Sequence, residues 1–592
     1  MSNNLKNFLP LLSFHSLQKP LLYFCGYILF VYFSSIHNSF AEIICWGVGL
    51  AILLRLTSRS HLKFSQSEKY YLSLLLILGY TIRFLHFILF PPLFGADADE
   101  RVYWDCIVKP INVLLGTPER PPGYSLFGKL IYFGYKNPNP TTLYLVQVWI
   151  NSYGIYQIYR IGSYLFNKPT GFIAAVFFVG WLPFIDMCSS KLLTETVSMF
   201  LFLQFCLMCS QIIAEGSNQS QSQLFRRAMG IGFLIGLSLI TRPSSLFMVP
   251  IVIICGVLSQ LPFRRLLKFL TACAGGSVIF PLAIALKNFL FFGVFAYAMN
   301  SAEFLLVVAM KEYRCVPRFC VLNETEMKNV SIQNFDSELH ATWGPLFVER
   351  LPLIVPYNRT SLDTERAQVV QWLINENYLD KNFKSIEVEQ ILRAFRLPPK
   401  WQNRLESRVR FNQTISSFFG KQINPETHRE HIHWIMSWHL LNSAYKDLWM
   451  QSYFNGRGLY TLLSEISMRC IDYWKFPPYM RTYSFINPMW SLHPLTVIAT
   501  DIQHWFCLIL APFSFIIMLS RSFSIEKKNR SATFFCASSI IICTVFFAAI
   551  TLPEFRYMIL AWNLMILLAA FSLHHLILKS AAVFLRISNA SS

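Results

Sequence analysis

Charge is what this sequence has least of. Asp, Glu, Lys and Arg make up 14% of its 592 residues, whereas 54% are hydrophobic and 16% aromatic, and the mean hydropathy is +0.41. Water-soluble domains carry roughly a quarter charged residues, so a soluble globular fold is excluded and lipid is the expected solvent. Acids are scarcer still, with 32 Asp plus Glu against 51 Lys plus Arg. The 14 cysteines include no paired CxxC, which leaves no zinc-ribbon motif. No repeat of fixed period is present, which counts against a transporter built from duplicated halves. Low-complexity sequence is confined to Ser217 to Ser222.

What is there is a series of apolar runs. A helix needs about 20 residues to cross the hydrocarbon, because each backbone polar group must be satisfied internally. Runs of that kind occur at 21 to 35, 41 to 55, 70 to 93, 142 to 160, 170 to 186, 192 to 214, 228 to 241, 245 to 259, 267 to 290, 499 to 520, 533 to 551 and 557 to 578. The expected fold is therefore an α-helical integral membrane protein of about 12 spans. Residues 1–69 form an N-terminal membrane hairpin and 70–296 a membrane core whose first outer loop is 94–141. Residues 297–497 form an outer domain, and 498–592 the last spans with a cytoplasmic tail. No small-residue cleavage site follows the first run, so it is expected to stay in the mature chain.

Basic residues cluster in alternate connections: Arg55, Arg59, Lys63 and Lys69; Arg160 and Lys168; Arg226 and Arg227; Arg264, Arg265 and Lys268; Lys527, Lys528 and Arg530. Those connections are expected to be cytoplasmic. The net charge of +19 is mostly this topological excess. From 297 to 497 there are 22 basic and 19 acidic residues, which leaves 29 against 13 in the membrane-rich remainder. No basic face interleaved with aromatics emerges, so nucleic acid is not an expected partner.

The stretch 297–497 is too long for a loop and is expected to be a mostly α-helical domain on the outer face. It carries Cys315 and Cys320, either a disulfide or two free thiols. Asn323, Asn329, Asn358 and Asn412 stand in Asn-x-Ser/Thr sequons. His428, His431, His433 and His439 lie in a helical-looking run, where His428 and His431 could share a face and ligate a metal, although a solvated helix is the commoner reading of such a run.

Chemistry concentrates in the first outer loop. It opens Asp97-Ala-Asp99-Glu100-Arg101, and three carboxylates at a membrane edge call for a cation, a proton or a polar substrate unless they merely cap a helix. Further on comes Glu119-Arg120-Pro121-Pro122-Gly123-Tyr124. The prolines stiffen the chain beside Arg120, whose planar fork suits phosphate; the plain alternative is an ordinary turn. Thr194-Glu195-Thr196 opens a later run, Gly236-Leu-Ser-Leu-Ile-Thr241-Arg242-Pro243 closes another, and Glu554-Phe-Arg556-Tyr557 opens the last.

In this order the five elements resemble the lipid-linked-sugar glycosyltransferases of the GT-C fold, in the branch of dolichyl-phosphate-mannose protein mannosyltransferases and aminoarabinose transferases. The resemblance covers about 70 to 300 and 499 to 578, not 1 to 69 or the central insert. It departs at Arg120, where the family usually has lysine. It implies transfer of a sugar from a polyprenyl-phosphate carrier to a hydroxyl of a glycan, lipid or protein acceptor, with inversion. Asp99, Glu100 and Asp97 would be the catalytic acids, with Asp99 the base and Asp97 its nearest rival. Arg120, Glu119, Tyr124, Glu195, Arg242, Arg556 and Tyr557 would contact donor or acceptor. No cofactor is required, although the resemblance admits a divalent metal ion near Glu119. The expected location is the bacterial inner membrane, or the endoplasmic reticulum of a eukaryote. A transporter or flippase of lipid-linked sugars is the alternative, and a polysaccharide polymerase or ligase a third.

Overall fold

The computed structural model describes residues 39–58, 65–89, 98–108, 121–132, 138–185 except 182, 191–297, 370–418 except 372, 386 and 387, 424–451, 494–519, 527–550 and 555–591, with a few single residues between them. Among the described residues the regular elements are all helices. In chain order they are α1 (Ser39–Ser58), α2 (Gln66–Leu89), α3 (Ala98–Val108), α4 (Gly123–Ile131), α5 (Pro140–Leu165), α6 (Lys168–Val179), α7 (Thr194–Glu215) and α8 (Gln221–Thr241). A 3-10 turn, Pro243–Phe247, leads into α9 (Met248–Leu258) and α10 (Phe263–Phe292). Then come α11 (Val388–Ala394), α12 (Pro399–Phe418), α13 (Pro425–Gln451), α14 (Pro494–Leu519), α15 (Lys527–Ile550) and α16 (Phe555–Ser591).

Six of these helices are long and apolar enough to cross a membrane: α2, α7, α8, α10, Asn529–Phe547 of α15 and Leu560–Ala582 of α16. The chain is an α-helical, multi-pass membrane protein. Shorter apolar helices occur at Trp46–Arg55, Lys168–Val179, Pro243–Leu258 and Ile502–Ile517. Every run expected from 41 to 55 onward coincides with a helix, and the first, 21 to 35, lies outside the described residues.

Helix α5 is the informative exception. It is 26 residues long but is not among the six, because Gln147, Asn151, Gln157 and Arg160 interrupt its apolar sequence. All four side chains are buried. The helix packs against α2, α6 and α7. Gln147, Asn151 and Gln157 bond to neighbouring segments and Arg160 to Tyr156 and Tyr164 of its own helix, rather than facing lipid, where they would be costly. Arg83 of α2, fully buried, donates to Asn151 Oδ1, to Gly79 O at 3.0 Å and to Phe178 O at 3.0 Å. It thereby satisfies carbonyls at the end of α6 that have no intrahelical partner. Burial separates centre from rim: 72% of the apolar window is buried in α7, against 28% in α10.

A second, separate core forms where α10 leaves the bundle. Phe292 and Val294 join Leu373, Ile391, Leu405, Ile432 and Met436. The joint is polar at its hinge. Gly293 ends α10 at φ 70°, and Arg404 Nη1 donates to its carbonyl at 2.9 Å. Asn412 Nδ2 donates to Phe291 O, also at 2.9 Å, and pairs with His428. The last carbonyls of α10 are thus capped by side chains of α12. Asn412 is 3% exposed, so the sequon at this position is folded away from any modifying enzyme. Asn323, Asn329, Asn358, Cys315 and Cys320 lie outside the described residues.

Candidate functional site

The short helices α3 and α4 lie at one end of the bundle and are held there by a single face of α5. Tyr144 and Gln147 are three residues apart and point the same way. Tyr144 Oη donates to Glu100 Oε1 at 3.0 Å, and the backbone N–H of Leu192 donates to the same oxygen at 2.7 Å. Glu100, 1% exposed, therefore ties α3 both to α5 and to the chain entering α7. Gln147 does the same for α4. Its Oε1 accepts from the Tyr124 hydroxyl at 2.8 Å, and its Nε2 donates to Lys191 O at 2.7 Å. The rings of Tyr103 and Tyr124 meet edge to face at 5.0 Å, and Lys129 Nζ donates to Ile107 O at 2.6 Å, which locks α3 to α4.

Burial pushes the Tyr124 phenol well above its ordinary value, with the Tyr144 and Tyr103 phenols and the Glu100 carboxylate adding to the effect. The phenol stays protonated and acts as a donor.

Helix α4 begins against the end of α8. A Cβ on Gly123 would stand 2.6 Å from Thr241 Oγ1 and 2.7 Å from Ile240 O. Only glycine permits that approach, which joins the double-proline element to the Thr241-Arg242-Pro243 element. Arg242 is extended (φ −151°), as suits a residue before proline. Its Nη1 lies 3.3 Å from Glu195 Oε1, and the two side chains are 12% and 5% exposed. Glu195 sits in the first turn of α7, where a carboxylate is favoured by the helix dipole. Phe247 of the 3-10 turn packs on Phe547 of α15 at 5.4 Å, so α15 ends, and α16 starts, at this same end of the bundle.

Four motif segments from α3, α4, α7 and the end of α8 are therefore gathered by one buried network. Glu100, Tyr124, Glu195 and Arg242 are within it. Asp99 lies in the first turn of α3, and Arg556 and Tyr557 in the first turn of α16, but their side chains are outside the described set. Asp97, Glu119 and Arg120 are outside the described residues altogether. Both of Glu100's named bonds land on one buried oxygen and tie α3 to α5 and to the start of α7. Tyr124 is fully buried with its hydroxyl engaged, so it holds α4 in place.

Reading the motifs alone missed Tyr144, Gln147, Lys191 and Asn151, all buried at or beneath this end. The signal was in the sequence: Tyr144, Gln147 and Asn151 fall at i, i+3 and i+7, a polar stripe on an otherwise apolar helix.

Of the histidines of α13, His428 and His431 are near enough to act on each other electrostatically. His428 meets Asn412, His431 lies against Phe292 and Trp434, His433 is near Ser437, and His439 packs on Trp401. Among the described residues no group of three or more His, Cys, Asp or Glu is placed to hold a metal ion.

No protein-family model matches the chain, and no curated protein matches it. Any functional reading rests on the motifs and on the geometry that gathers them.

Proposed function

We propose that this protein is a membrane glycosyltransferase that moves a sugar from a polyprenyl-phosphate carrier to an acceptor hydroxyl on the outer side, with inversion. The observation that carries this reading is the convergence of α3, α4, the start of α7 and Arg242 at one end of a membrane bundle. Segments more than 140 residues apart in sequence, those of Glu100 and Arg242, are both tied to the start of α7, one through the Leu192 amide and the other through Glu195. In this reading Asp99 is the base that takes the acceptor's proton, and Glu100 positions the helix that carries it. Arg120, fixed by the double proline, receives the phosphate, which is already a weak base and needs no general acid. Arg242, oriented by Glu195, and Arg556 with Tyr557 supply further donor contacts. The topology that goes with it is about twelve spans with 297–497 on the outer side, in a bacterial inner membrane or the endoplasmic reticulum.

The test is reconstitution of the full chain in vesicles with a labelled polyprenyl-phosphate sugar. Label is expected to become covalently attached to an acceptor. Asp99→Asn should lower the rate roughly 100-fold to 10,000-fold, the span of general-base catalysis, with donor binding retained. Arg120→Ala should weaken donor use, and Arg120→Lys should retain part of it. Label that merely changes leaflet would make the protein a flippase and end this reading.

A further inference from the structure

At the end of the bundle opposite Glu100, α8 and α10 begin side by side and run parallel. They touch closely further along, where a Cβ on Gly232 would stand 2.2 Å from Cys273 O. Before that contact they leave a cavity of about 530 Å³ between them. Its walls are mostly apolar, with Leu224, Phe225 and Met229 from α8 and Phe269, Ala272 and Gly275 from α10, and Gln221 and Thr271 add polar groups. Phe225 is 56% exposed and forms an open side of the slot. Arg265 and Lys268 also line the cavity, while Arg226, in the second turn of α8, and Arg264, in the first turn of α10, are outside its lining. Arg227 is engaged by Glu215 at 2.7 Å.

The lining dictates the ligand class. A slot with a mainly apolar wall, opening sideways from two membrane helices, takes hydrocarbon along that wall, where water would find few polar partners. Two cations at the helix starts, in the layer where a span ends, take a phosphate oxygen. Volume also fits: sites for small molecules run from about 300 to 1,000 Å³, so the slot holds a head group with the upper part of a chain. We infer that the groove between α8 and α10 is a binding site for an anionic phospholipid, whose phosphate meets Arg265 and Lys268 and whose acyl chain lies along Phe225, Ala272 and Gly275. Charge complementarity selects this occupant over a zwitterionic lipid, whose own amine would be repelled by the same cations. The site stands apart from the Glu100 end and does not depend on the proposed reaction.

Native mass spectrometry of the purified full chain, titrated with phosphatidylglycerol or with phosphatidylcholine of the same acyl chains, tests this. The parent should keep one phosphatidylglycerol in preference to phosphatidylcholine. Arg265→Gln with Lys268→Gln should weaken that adduct roughly thirtyfold, the effect of two cations removed at a membrane surface. Arg226→Gln with Arg264→Gln makes the same change in net charge outside the slot and should leave the adduct nearly intact. Gly275→Leu keeps every charge and fills the slot; Gly275 has open space about its Cβ position, so the fold tolerates it, and the adduct should be lost. Equal retention of the two lipids, equal loss in the two charge variants, or displacement of phosphatidylglycerol by equimolar polyprenyl phosphate would each overturn the assignment.

Discussion

The two ends of the membrane bundle solve the same problem in opposite ways. At the Glu100 end two acids are buried: Glu100 and Glu195 are 1% and 4% exposed. They are held by a phenol, a backbone amide and a guanidinium. At the other end the acids sit in more open ion pairs, Glu68 with Lys168 at 2.8 Å and Glu215 with Arg227 at 2.7 Å. The shorter contacts are the weaker ones energetically, since water screens them and exposed pairs contribute about 0 to 1 kcal/mol. A buried charge, once its partner is removed, has no water to fall back on. One end is built to fix groups in place; the other faces solvent and phospholipid.

The sharpest way to break this comparison is to remove one partner at each end. Arg242→Ala should cost about 3 to 5 kcal/mol, as expected for an orphaned buried charge, and Arg242→Ala with Glu195→Ala should recover part of that. Lys168→Ala should cost less than about 1 kcal/mol. Thermal unfolding in detergent reads both, and equal losses would mean that the ends are not different in kind.

Glycine at the α4–α8 contact offers the next largest effect. Gly123→Ala drives a methyl group into Thr241 and the Ile240 carbonyl and should cost about 1 to 3 kcal/mol through overpacking. Gly47→Ala meets open space and should be neutral or slightly stabilising by helix propensity. Limited proteolysis near residue 120 should rise only in the first.

Tyr144→Phe sharpens the comparison by removing a single donor. Glu100 keeps the Leu192 amide, so the loss should be about 1 kcal/mol, the value of one buried hydrogen bond. If Glu100 is an anchor, sugar transfer should fall with the ordering of α3 and be partly rescued at lower temperature. A rate unchanged in Tyr144→Phe would remove Glu100 from the positioning of Asp99.

The smallest effect concerns the second core. Burial lowers His428, His431, His433 and His439 below the ordinary value of 6.5. As the pH falls below about 6.5, unfolded imidazoles bind protons before folded ones do. The unfolded state then holds more protons, so α12 and α13 lose stability on acidification. Amide exchange at pH 5.5 should rise in α12 and α13 relative to pH 7.5, with α7 unchanged. Faster exchange in α7 first would contradict the separation of the two cores.

Much of the fold was legible because lipid imposes simple rules. An apolar run of the right length is a helix, and eleven expected runs coincide with helices for that reason. The site was legible only in pieces. Asp99, Glu100, Glu195 and Arg242 stand out because charge is rare here, but nothing in their spacing says that Glu195 meets Arg242 across 47 residues. Tyr144 and Gln147 were harder, since a polar residue in an apolar helix reads equally as a weak span or as a buried stripe.

The sequence by itself determined the solvent, the class of fold and the positions of most helices, because backbone hydrogen bonding in hydrocarbon leaves one local solution and composition reports it. Only the tertiary structure decided what the buried acids touch. That Glu100 meets a tyrosine depends on how α3 lies against α5, and Tyr144, Gln147 and the Leu192 amide fix that placement. Those groups are 44 to 92 residues away from their partners, beyond the reach of any local pattern.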